Sequence, residues 1–214
     1  MSSAFLTLTE DVFPSDTSAR FGAAPRMIFV VHGAISIAGD VLSDDQAWHG
    51  EQAVDVRAGS AGATLWRWDL SRGSSPIDSA DGAVRSSRKL SAALETLPEG
   101  ELLLRGDSVA FPPGGCALTH VHQGPGIRCL IEGGIRIDTH GRSTAYGPGG
   151  AWYESGPEPV FAQAAKDRPS RFIRVMVLPR TLLGKSSIRY VDEADKDRPK
   201  SQSYKIYVDA PIAF

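Results

Sequence analysis

Cysteine is scarce in this chain, with Cys116 and Cys129 the two in 214 residues. That excludes a disulfide-stapled scaffold and agrees with reduced thiols. Cys116, four residues before His120, reads as a small buried thiol before it reads as a soft metal ligand. No apolar run is long enough to span a bilayer, and Met1 to Glu10 lacks the charged start and apolar centre of a signal peptide. A cytoplasmic protein is expected. An excess of charge is also missing: 23 Lys and Arg against 25 Asp and Glu leave a net −2. Such a balance gives no reason to expect nucleic acid or a membrane as partner.

Turn formers, by contrast, are plentiful. With 22 glycines and 14 prolines among short apolar stretches, an all-β chain with many turns is expected. Pro25-Arg-Met-Ile-Phe-Val-Val-His-Gly-Ala-Ile-Ser-Ile37 aligns without gaps on Pro125-Gly-Ile-Arg-Cys-Leu-Ile-Glu-Gly-Gly-Ile-Arg-Ile137. Ala47-Trp48 then matches Ala151-Trp152, and Thr64 to Leu70 matches Phe172 to Leu178 in pattern. A duplicated β unit explains both. The reading divides the chain into a first unit over 1–70, a linker over 71–100, a second unit over 101–180 and an extension over 181–214.

In the linker, 71–82 is polar and aperiodic, whereas Leu90, Ala93, Leu94 and Leu97 follow Ser86-Ser87 at helical spacing, so one short helix is expected there. In the second unit, strands are expected over 101–105, 108–111, 117–122, 128–131, 134–138, 151–154, 160–163 and 171–178. Asp192 to Lys200 reads as a solvated charged loop. Tyr204 to Val208 reads as a strand returning to a sheet edge in this chain or a second subunit, and a homodimer is expected.

The chemistry concentrates at His120-Val121-His122. A strand points residues i and i+2 to one face, so both imidazoles reach one point. With Gly114 before the pair and Gly133 after it, the stretch resembles the first cupin motif: Gly, five residues, His-x-His, three or four residues, Glu, six residues, Gly. Gly126 or Ile127 stands where that Glu would be, and no histidine follows His140 to supply the ligand of the second motif. The resemblance implies a duplicated jelly-roll barrel. It also implies a divalent transition metal, Fe, Mn, Ni or Zn, held in the second copy by His120 and His122, or no metal at all.

The ungapped offset puts Arg20 and Gly22 where those ligands would be in the first copy, so that copy reads as metal-free. His32, His49 and His140 read as exposed or hydrogen-bonded side chains. Glu154, on the strand leading towards the absent histidine, is the first candidate for a carboxylate ligand; an exposed strand-end acid is the alternative. Glu158 and Gln163 are weaker candidates. Arg128 is placed to clamp a carboxylate or to pair with Glu132 or Glu154. Trp152 reads as a ligand wall or as core, and Gln163 as a further substrate contact. A small-molecule enzyme, dioxygenase-like or a metal-dependent isomerase or lyase, competes with a non-catalytic metabolite-binding barrel and with a structural role. The catalytic residues stay unassigned.

Overall fold

The computed structural model describes residues 3–73, 83–95 and 97–214. They form two compact units: the chain up to Leu94 together with Ile212–Phe214, and Glu95–Pro211. The stretch 181–211 is therefore part of the second unit. Most of the aperiodic stretch over 71–82 lies outside the described residues. Among the described residues no helix is long and apolar enough to cross a membrane.

The first unit contains β1 (Ala4–Phe13), β2 (Ser18–Phe21), β3 (Arg26–Ile37), β4 (Asp40–Ser43), β5 (Ala47–Gly50), β6 (Val54–Arg72) and β7 (Arg85–Leu94). They pair in the order β4-β3-β6-β1-β7, with β2 on β6 and β5 on β3. Alternation along these strands turns Phe21, Ile28, Val30, Ile37, Val56 and Leu65 into one buried cluster.

In the second unit follow β8 (Leu102–Phe111), β9 (Cys116–His122), β10 (Gly126–Glu132), β11 (Ile135–Thr139), β12 (Arg142–Tyr146), β13 (Ala151–Glu154), β14 (Val160–Ala164), β15 (Ser170–Pro179), β16 (Ile188–Tyr190) and β17 (Ser203–Ile212). Two five-stranded sheets result, β13-β10-β15-β8-β17 and β12-β11-β14-β9-β16. Val109, Leu130, Ile137, Trp152, Val160 and Phe172 fill the space enclosed by their strands.

The duplication is visible in the pairing itself. Ile28 lies opposite Trp48 and Arg67, as Arg128 lies opposite Trp152 and Arg174. Both copies carry a register irregularity at the same place, after Val30 and after Leu130. The repeated glycine follows it: Gly33 and Gly133 have φ of +92° and +83°, and a Cβ there would stand 2.2 Å from the carbonyl oxygen of Gly62 or of Pro169 respectively. Only glycine meets both conditions.

Three expectations need correction. Leu90 to Leu94 is not helical; it lies in β7, which pairs along β1 with Leu90 opposite Leu8 and Leu94 opposite Ala4. Leu90, Ala92 and Leu94 also satisfy a period of two, and an open edge on β1 supplies a hydrogen-bond ladder without the cost of nucleating an isolated helix. Arg20 is not the counterpart of His120. Ile35 faces Ala58 as Ile135 faces Ala164, so Val54 corresponds to Val160, and their partners are Phe21 and His120. Arg20 points outwards to Asp55. The same register makes Arg67, not Trp66, the counterpart of Arg174.

The second unit also differs locally from expectation. Gly106 and Asp107 do not interrupt β8, which runs unbroken beside β15. The terminal strand β17 covers the outer edge of β8 in its own chain. Within the charged stretch, Asp195 is buried and paired with Arg198.

Candidate metal centre and its arginines

β9 delivers both imidazoles to the interior, where His120 and His122 are 5% and 4% exposed. Their Nε2 atoms are 3.2 Å apart. His120 Nδ1 sits 2.6 Å from the Leu118 carbonyl oxygen, so the proton is assigned to Nδ1 and the lone pair of Nε2 faces the site. Burial lowers the pKa of His120; the Leu118 hydrogen bond and Glu154 oppose the shift, while Arg174 and Arg128 add to it. His122 is lowered well below 6.5 by burial, then by Arg128, Arg174 and His120. Both rings are neutral at neutral pH.

Glu154 arrives from the neighbouring strand. It is the cross-strand partner of Gly126, the position at which the motif's carboxylate is missing, and directly opposed residues share a face. Its Oε2 lies 3.5 Å from His122 Nε2 and 2.7 Å from Arg128 Nη2. That close ionic contact is misaligned for a hydrogen bond, and both atoms are buried without a hydrogen-bond partner. The other carboxylate oxygen accepts from Trp152 Nε1 at 2.8 Å.

Arg128 is fully interior and donates from Nη1 to the Gly126 carbonyl at 2.7 Å. A side chain at 126 would meet Val175 O at 2.5 Å and Arg128 Nη1 at 3.0 Å, so glycine there leaves room for the guanidinium. Burial lowers the Arg128 pKa to about 10, with Arg174 adding to the shift and Glu154 opposing it; the group stays charged at neutral pH.

Arg174 and Asp107 escaped the sequence reading. Arg174 donates from Nε and Nη2 to the two Asp107 oxygens at 2.8 and 2.9 Å, and its Nη1 lies 3.5 Å from His122 Nε2. Burial would lower its pKa, but Asp107 raises it further. The available signal was an Arg inside the apolar run Phe172 to Leu178 and an Asp inside Leu102 to Phe111. A charge in a buried strand requires a partner.

The structure thus brings His120, His122, Glu154 and Arg128 together. Trp152 packs in the core, its ring stacked on Tyr146 at 4.9 Å, and meets the site through its hydrogen bond to Glu154. Gln163 is not brought there; its amide donates to the carbonyls of Gly114 and Gly115 at 2.8 and 3.1 Å. His32 and His140 are exposed beside Asp44 and Glu158, and His49 is bonded to the Arg26 carbonyl. Neither cysteine is in a disulfide.

No protein-family model matches the sequence, and no curated protein matches it. Solved structures do. The oxalate decarboxylase of Lactobacillus farciminis in complex with formate superposes with a TM-score of 0.67 at 11% identity, over 90% of this chain and 82% of that one. The chain has the duplicated cupin fold. A Bacillus subtilis oxalate decarboxylase, in a study of its Mn(II) centres, gives 0.62 at 11% identity over 95% and 85% of the two chains. A cupin 2 conserved barrel protein of Leptotrichia buccalis gives 0.50 at 11% identity over 83% and 85%. Identity this low shows a shared cupin architecture; chemistry has to come from the site.

Among its described residues, the first cupin unit has no comparable cluster. Phe21 fills the place of His120, and the Arg67 guanidinium lies 4.2 Å from its ring centroid. Arg67 is held by Asp11 and Asp69, and Arg26 by Asp69 through Nε, its Nη1 being buried without a hydrogen-bond partner. The second unit keeps an enclosed space among His120, His122, Arg128, Glu154 and Arg174, about 20 Å³ to the centre of a water molecule.

Proposed function

We propose that this chain is a small-molecule-binding cupin whose second barrel holds a divalent transition-metal ion on His120 and His122, with Glu154 as the carboxylate. The 3.2 Å separation of the two Nε2 atoms carries the reading. Two nitrogens each about 2.1 Å from one ion stand roughly 3–3.4 Å apart. The orphaned Glu154 Oε2, 3.5 Å from His122 Nε2, adds an oxygen, and two imidazoles with a carboxylate suit Fe, Mn, Ni or Zn. Among the described residues no three such side chains form a ready-made metal cage. Glu154, turned to Arg128, is the group that has to adjust, so the ion is bound weakly.

An ion held there supplies Lewis-acid polarisation of a ligand oxygen, or a redox centre of the dioxygenase-like kind. The chain's own residues do the rest. Leu118 fixes the His120 tautomer, Trp152 and Arg128 orient Glu154, and the two guanidiniums favour an anionic ligand over a neutral one. Isomerase or lyase chemistry would use the same arrangement.

A metal-free metabolite-binding barrel is the second reading, favoured by the proximity of Arg128 and Arg174 to the imidazoles. Metal analysis of protein purified without chelator separates the two. Stoichiometric metal in the wild type, lost in His120→Ala/His122→Ala and reduced in Glu154→Gln, is the expected outcome. Equal metal content in all three proteins, or none in any, would remove the metal reading.

A further inference from the structure

We propose that Arg174 makes retention of the ion depend on an organic carboxylate, seated on its Nη1 and carried by an apolar or aromatic body in the adjoining pocket. The inference rests on the metal reading above and concerns what completes that site.

The charges come first. Arg128 and Arg174 are balanced by Glu154 and Asp107, so the buried cluster has no spare negative charge. A divalent cation added to it leaves two uncompensated positive charges in a space shielded from water, which is costly. A carboxylate entering with the ion offsets part of that excess. Arg174 supplies its seat: Asp107 occupies Nε and Nη2, and Nη1 is left facing His122 Nε2 at 3.5 Å. An ion needs His122 Nε2, the atom that Arg174 Nη1 faces, so a carboxylate that draws Nη1 to itself also clears the ligand nitrogen.

The route fits a carboxylate with a body. The enclosed space of about 20 Å³ has room for a head group alone. Arg174, Ile188 and Tyr204 line both that space and an outer pocket of about 370 Å³, to which Tyr190 and Ile206 add further apolar surface. That volume is within the range of small-molecule sites. A second pocket of similar size shares only His122 with the inner space, and no guanidinium leads into it from the centre.

The test is calorimetric titration of metal-stripped full-length protein with Ni²⁺, alone and in the presence of acetate, benzoate or inorganic phosphate. Benzoate is expected to tighten Ni²⁺ binding by tenfold or more, acetate by less, and phosphate not at all. Reciprocity requires Ni²⁺ to tighten benzoate binding by the same factor. Arg174→Lys, which keeps a cation opposite Asp107 and removes the fork, should abolish the benzoate effect, with near-ultraviolet circular dichroism reporting its fold. Tyr204→Ser should reduce the benzoate effect while sparing that of acetate. Ni²⁺ binding that needs His120 but is indifferent to all three anions would overturn the coupling and leave the metal reading intact. Coupling that survives Arg174→Lys, or is equally strong with phosphate, would also overturn it. Failure of Ni²⁺ to bind under any condition would instead remove the metal reading beneath it.

Discussion

Trp152 shows how one side chain serves core and site together. Its ring stacks on Tyr146 and meets Phe172 edge-on at 5.2 Å, while its indole N–H holds one oxygen of Glu154. Trp152→Phe keeps most of the packing and removes the donor, so it should cost about 1.5–3 kcal/mol in urea unfolding, the range for a hydrogen bond to a charged group, and weaken metal retention. Unchanged metal affinity would show that Arg128 alone orients the carboxylate. The histidines give a pH signature of their own. Both folded values lie below 6.5, so the unfolded chain binds more protons as pH falls through 6.5. Their contribution to the stability of metal-stripped protein is therefore present above that pH and lost below it. Urea midpoints at pH 7.5 and 5.5 should differ more in the wild type than in His120→Gln/His122→Gln; an equal difference would contradict neutral buried imidazoles.

At the scale of elements, the fold depends on two segments of the chain meeting closely where β10 gives way to β11. Gly133 has φ of +83°, and a Cβ there would stand 2.2 Å from the Pro169 carbonyl oxygen. Gly133→Ala should destabilise the protein by more than about 1 kcal/mol, with the loss read as a lower thermal midpoint; a neutral result would mean that the corner is not under close contact. The same element scale explains the asymmetry between the units. β2 places Phe21 where β9 places His120, and β6 brings Arg67 against its ring with two aspartates around it. An aromatic ring with closed ion pairs fills what the second unit leaves open, so the counterpart arginines, Arg67 and Arg174, have different surroundings.

Over the whole molecule, β17 runs along β8 in its own chain. The motive for a homodimer therefore moves from an uncovered β8 to the outer edge of β17, where Tyr204 and Ile206 are exposed. A homodimer is the expected outcome of sedimentation velocity at micromolar concentration, and Ile206→Lys should shift it towards monomer. A wild-type monomer at that concentration would rule the dimer out.

The strand placing His120 and His122 on one face, the repeat around Gly33 and Gly133, and the all-β class were legible because alternation and glycine chemistry are local properties of the chain. Which residues meet across strands was not local. Glu154 stands opposite Gly126 through a register that twenty-seven intervening positions must close, and Arg174 reaches His122 and Asp107 from a third strand. Leu90 to Leu94 carried a pattern compatible with helix or strand, and the open edge of β1 decided between them. The offset from His120 back to Arg20 failed by one residue because β9 is irregular beside β14. In a period of two, one residue exchanges inside for outside, so the tertiary pairing alone decided that Phe21 takes the interior position.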